Sequence, residues 1–224
     1  KEPLLISGPL ENPEIKGSIQ LAGVNLMPRQ LGSEISIPQG VLQVGGALMD
    51  GRMVGLIEED FPLTGTYDEG SFSAYGWFRL ANWWPEDALL NLSGKEIYYQ
   101  SPGQFRLVIS PRVEFSGRGM SGEGGGQTSL TGDVYLSEGE FTRNFDRLIG
   151  SFATAFSRTQ ERYSKPLTET LPFLRNMILD LRVRGGNFAV SSRFPFGETE
   201  LSVNLDLRVG GTLDDLKLFD WMRL

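Results

Sequence analysis

The sequence predicts an all-β chain. Three observations carry this: side chains alternate between apolar and polar, glycine-centred turns recur at short intervals, and a degenerate repeat runs through the chain. Alternation is strictest at Leu201, Val203, Leu205, Leu207 and Val209, which are separated by Ser202, Asn204, Asp206 and Arg208. A side-chain period of two is a strand with one dry and one wet face. The 28 Gly and 12 Pro of the 224 residues suit many turns, and a 40% apolar share is enough to offset the entropy of ordering.

Shorter runs repeat the pattern along the chain. Ile15, Ile19 and Leu21 alternate around Lys16, Ser18 and Gln20. Leu107 and Ile109 flank Val108, Val113 and Phe115 flank Glu114, and Val134 and Leu136 alternate with Asp133 and Tyr135. Leu179, Leu181 and Val183 alternate with Asp180, Arg182 and Arg184. Turns are expected at Gly8-Pro9, Gly45-Gly46, Gly117 to Gly126, Gly185-Gly186 and Gly210-Gly211.

Two stretches depart from this period. Asn82 to Leu92 predicts a short helix near 84–92, with Pro85, Glu86 and Asp87 in its first turn and Gly94 past its end. Residues 143–178 predict a partly helical insertion. There Leu148, Phe152 and Phe156 fall on one helical face, and Arg143, Arg147, Arg158, Arg162 and Lys165 outnumber Asp146 and Glu161. A basic amphipathic segment of this kind either lies on an anionic membrane surface or packs on its own domain. The chain divides into an N-terminal β-repeat segment, 1–104, and a second β segment, 105–224, that carries the insertion.

Ile6 to Ile15 and Val209 to Leu218 share one pattern: apolar, small, Gly, turn, Leu, acidic, Asn or Asp, any, charged, apolar. Leu130 to Leu136 resembles Ile15 to Leu21 as a half-unit, each opening apolar-x-Gly. A repeat with insertions predicts a solenoid or long meander whose units bury their faces against neighbours.

Chemistry is poorly provided for. The chain lacks His and Cys; the missing His removes the commonest general base, the commonest metal ligand and the usual triad partner. Glu58, Glu59 and Asp60, or Asp214 and Asp215, are too sparse or too clearly turn residues for a carboxylate pair or a Ca²⁺ site. The Gly117 to Gly126 run lacks the Lys-Ser/Thr of a phosphate loop. The reading is therefore non-enzymatic, with no metal and no cofactor. A net charge of −7 disfavours nucleic acid as a partner. No run of 18 apolar residues is present, and the start at Lys1 predicts a piece of a longer protein. The aromatics Trp77, Phe78, Trp83, Trp84, Tyr98 and Tyr99 suit an end cap or local core better than a sugar-stacking platform.

Leu130-Thr131-Gly132-Asp133-Val134-Tyr135-Leu136-Ser137-Glu138-Gly139-Glu140-Phe141 resembles a repeat unit of TamB, the inner-membrane subunit of the translocation and assembly module. Leu179 to Val183, Asn187 to Val190 and Glu200 to Asp214 resemble the C-terminal region of that family in order and spacing. The likeness covers about residues 105–220, with residues 1–25 joining through the half-repeat, while residues 26–104 match poorly. It implies an elongated curled β-sheet, a taco-shaped or solenoid-like trough with an apolar interior, as in the related AsmA-like bridge proteins. It also implies a periplasmic location, an inner-membrane anchor outside this chain, and an outer-membrane barrel of the Omp85 class as partner. The implied work is shielding phospholipid acyl chains, and segments of outer-membrane proteins, between the two membranes during outer-membrane assembly. The groove lining would then be Ile15, Ile19, Leu21, Leu107, Ile109, Val134, Leu136, Leu179, Leu181, Val183, Leu201, Val203, Leu205, Leu207 and Val209. Period-two patterning also allows a structural or adhesive β-solenoid with a closed core, or a carbohydrate-binding β-domain.

Overall fold

The computed structural model describes residues 4–11, 13–27, 34–47, 51–101, 105–122, 126–141, 172–194, 197–212 and 215–219. Its strands in chain order are β1 (Leu5–Ser7), β2 (Glu14–Leu26), β3 (Ile35–Ala47), β4 (Arg52–Ile57), β5 (Leu63–Tyr67), β6 (Gly70–Ala81) and β7 (Trp84–Lys95). They continue with β8 (Ile97–Ser101), β9 (Phe105–Arg118), β10 (Gln127–Phe141), β11 (Ile178–Phe194), β12 (Gly197–Thr212) and β13 (Leu216–Phe219). The chain is all-β, and these thirteen strands form a single sheet ordered β1-β2-β3-β4-β6-β7-β9-β10-β11-β12-β13. β5 continues the line of β4, and β8 that of β7. The sheet runs without a break past residue 104, because β7 and β8 both pair with β9.

The predicted helix near 84–92 is instead the central strand β7. Ala88, Leu90 and Leu92 take one face and Leu89, Asn91 and Ser93 the other, in register with β6 on one side and β9 on the opposite side. Leu89 hid the period. It lies beside Trp77 on a face that is also apolar here, and a short two-sided apolar run does not tell helix from strand. Pro85 falls at the bulge after Arg79, where no ladder N–H is required. Pro111 sits where β9 changes partner from β7 to β8, with Ser93–Arg112 on one side and Ile97–Ile109 on the other.

The two copies of the ten-residue pattern build the same object. Each is an antiparallel hairpin whose first and last residues face each other, Ile6 with Ile15 and Val209 with Leu218. The apolar-x-Gly opening also has a fixed role. Gly17, Gly46, Gly76 and Gly132, each third in such a triplet, have φ of 145°, 143°, 132° and 138°. All four lie on the same face of the sheet, in four successive cross-strand rows. They mark this face, the creased face, on β2, β3, β6 and β10. The turns expected at Gly45-Gly46, Gly185-Gly186 and Gly210-Gly211 are instead positions inside β3, β11 and β12. There Gly46, Gly185, Gly210 and Gly211 answer a close approach of other groups rather than a chain reversal.

β10 and β11 pair in parallel, with Ser129 to Leu136 beside Ile178 to Gly185. A parallel neighbour requires a crossover back to the starting end. β10 has 15 residues, so the return covers roughly 50 Å at about 3.3 Å per residue. The predicted insertion, 143–178, falls in this connection. Of it, residues 143–171 lie outside the described residues, Pro172–Leu174 form a 3-10 turn, and Ile178 opens β11.

Candidate functional site

The sheet has two chemically different faces. One carries the crease glycines and a series of continuous apolar rows. The longest row is Ile57, Gly76, Leu90, Phe115, Leu130, Leu179, Gly211 and Leu216, across eight strands. The next is Ala74, Leu92, Val113, Gly132, Leu181, Val209 and Leu218. Neither row contains a charged residue. The eleven strands of the main path, about 4.8 Å apart, carry this face for roughly 50 Å along the sheet surface.

The groove residues read from the sequence fall on this face wherever it is described. Ile15, Ile19 and Leu21 extend the face into β2 opposite Gly46, Leu42 and Gly40. Leu107, Ile109, Val134, Leu136, Leu179, Leu181, Val183, Leu205, Leu207 and Val209 share it from β9 to β12. Leu201 and Val203 belong to β12, opposite Val190 and Phe188, and their side chains lie outside the described set.

Sequence reasoning missed the central contribution of β3 to β6. Val44, Ile57, Tyr67 and Ala74 are among the most buried residues of the chain. β4 reads Met-Val-Gly-Leu-Ile and β6 has aromatics on both faces, so neither shows a clean period. It also missed a cap at one end of the face. There Phe173 leans on Phe115 with ring centroids 6.3 Å apart. Thr128 donates its hydroxyl to the Phe173 carbonyl at 2.7 Å. The Met120 thioether lies over Gly117. Met120 and Met177 are both buried.

No described side chain on this face is sealed off. The buried apolar residues retain 5–9% exposure, and none falls below 2%. A closed two-layer core drives several side chains to complete burial.

The opposite face of β10 to β12 is an ion-pair ladder. Arg182 grips Asp206 with two bonds of 2.9 and 2.8 Å, and Arg208 grips Asp180 with two of 2.7 and 2.8 Å. Arg184 pairs with Asp133. Arg182 and Arg208 stand directly opposite each other, which alone repels; the diagonal aspartates relieve this. Hydrogen bonding to Arg208 and Arg182 holds the Asp180 and Asp206 carboxyls below the usual carboxylate range. A carboxyl lowered on folding contributes stability above its unfolded pKa, roughly 4. That contribution disappears as the pH falls through the lower folded value. We expect the double variant D180N/D206N to flatten the acid limb of a Tm-against-pH curve below about pH 4 and to lower Tm at neutral pH. Because the pairs are exposed, 0.5 M salt should shrink the difference on the order of half or more.

The aromatic set does not form one platform. Phe78 lies on the creased face across Gly55, Trp77 is on the opposite face, and Tyr98 stacks under Arg106, 4.9 Å from its ring centroid. Trp83 and Trp84 form an exposed hairpin tip, not the end cap or local core expected. Glu58, Glu59 and Asp60 occupy the β4–β5 connection, where Glu58 accepts a hydrogen bond from Gln43. Among the described residues no three acids converge as metal ligands, and no helix is long and apolar enough to cross a membrane. No family model matches the chain, and neither a curated protein nor a solved structure is significantly similar to it.

Proposed function

We propose that the creased face is the lining of an open apolar groove that shields phospholipid acyl chains from water. In this reading the chain is a segment of a longer TamB-like periplasmic protein, non-enzymatic and free of cofactors. It serves outer-membrane assembly beside a barrel partner of the Omp85 class, and segments of outer-membrane proteins are further cargo. The carrying observation is the pairing of uncharged rows across eight strands with the lack of any sealed side chain among them.

Three further features support this reading. The sheet path ends in β1 and β13, which do not pair with each other, so the strands form no barrel among the described residues. The four crease glycines are the device by which sheets are bent. Bending toward the apolar face accounts for its low exposure without a second layer. An acyl chain on the rows gains about 0.8 kcal/mol per methylene removed from water. The closed-core alternative has no corresponding support in the burial pattern.

The test is a benzophenone crosslinker placed at Leu181 or Leu207 on the creased face, and at Arg182 or Asp206 on the other, in cells. Phospholipid adducts should form at the first pair and not at the second. Equal labelling of both faces, or none at either, ends the groove reading.

A further inference from the structure

The β6–β7 hairpin turns on Asn82 and Trp83, both at positive φ, 51° and 64°. This is the backbone of a two-residue hairpin turn that Asn-Gly fills at least cost. A tryptophan there is strained, and it gains no burial in return. Trp83 and Trp84 are 58% and 55% exposed. The Trp83 N–H donates to the Gly51 carbonyl at 3.2 Å, which sets the tip beside Arg52.

The same end of the sheet gathers other groups of one kind. The β1–β2 hairpin presents Leu10, 98% exposed. β9 ends there at Arg118, and the crossover returns there through Arg175. The segment after β9 touches the start of β7 directly, since Met120 donates to the Glu86 carbonyl and Gly119 to Asp87. Arg52, Arg118 and Arg175 are exposed and make no ion pair among the described residues. The acids Glu86 and Asp87 are occupied by Arg79, Asp215 in the β12–β13 hairpin is paired with Lys217, and Glu11 and Glu14 belong to the outermost hairpin. At the other end of the strands acids outnumber cations, with Glu34, Asp68, Glu69, Glu96 and Glu138 exposed beside Lys95 and Arg106.

We propose that the hairpin end bearing Trp83 and Trp84 is a rim that rests on an anionic phospholipid surface. The two indoles sit at headgroup depth, and Arg52, Arg118 and Arg175 face lipid phosphates. Tryptophan suits such an interface because its ring is apolar while its N–H stays wet. Guanidinium groups match phosphate oxygens in pairs. A chain of net charge −7 has no general attraction to anionic vesicles, so binding would report this end. The rim contact stands apart from the groove reading, because adsorption to vesicles needs no uptake of an acyl chain.

Flotation with vesicles of phosphatidylcholine, with and without phosphatidylglycerol, tests it on the full chain, with tryptophan emission read in parallel. The chain should float with the anionic vesicles and its emission should shift to the blue. W83G/W84S should lose roughly tenfold or more in partition and the blue shift with it, while Trp77 still reports the fold. Glycine at position 83 relieves the turn, so this variant must keep its Tm or raise it. R52Q, R118Q and R175Q should each weaken binding about fivefold. No flotation, flotation indifferent to W83G/W84S, or emission that responds to oligosaccharide and not to vesicles would overturn the rim.

Discussion

Replacing Gly132 with alanine is expected to lower stability by about 3–4 kcal/mol. Gly132 has φ of 138°, which strains any other residue. Its backbone is also pressed onto β9: a Cβ there would overlap the Arg112 carbonyl oxygen and come to 2.9 Å from the Val113 Cα. Neither is a flexible side-chain end that can swing away. Gly76 repeats the situation on β6, where a Cβ would lie 3.0 Å from the Leu90 Cα, and G76A should behave alike. Gly23 supplies the control. Its φ is 62°, but nothing lies within 4 Å of a Cβ there, so G23A carries only the backbone term of about 1 kcal/mol. Urea unfolding of the three variants separates the two effects. Equal losses at positions 23, 76 and 132 would mean that the crease is ordinary strand.

The second large effect is a contrast between adjacent residues. Leu179 is 6% exposed on the creased face between Leu130 and Gly211, while Ile178 is 56% exposed on the other. L179D forces a carboxylate into an uncharged row and should cost about 4 kcal/mol or more. I178D should stay within about 0.5 kcal/mol of the parent. Chemical denaturation measures both. A shift of one residue in register exchanges the two faces, so reversed or equal outcomes would show β11 paired out of register with β10 and β12.

Glycine explains why the repeat was legible. In Ile15-Lys16-Gly17 and Leu130-Thr131-Gly132 the first residue sets the dry face and the third takes a positive φ that favours glycine. Two constraints recurring at one spacing leave a pattern even when every other position drifts. The segments Ile6–Ile15 and Val209–Leu218 were legible as copies of one pattern, and the pairing shows each to be a hairpin.

β7 was not legible. Its leucines face both ways because β6 presents Trp77 on one side of the sheet and Phe78 on the other. What made it a strand was the pair of edges it fills, on residues up to 29 positions away in β9. The cap at Phe173 likewise joins Thr128 to a carbonyl 45 residues on.

Local sequence was enough for the all-β class and for the face each alternating residue takes, since the pleat is a property of neighbouring residues. It was not enough to tell a glycine turn from a glycine inside a strand, as Gly45-Gly46, Gly185-Gly186 and Gly210-Gly211 show. Only the tertiary structure decided the parallel pairing of β10 with β11, the crossover this demands, the exposed tryptophan tip and the union of eight strands into one uncharged row. Those depend on which distant strand lies alongside, a choice made by the free energy of the whole sheet and not by any local period.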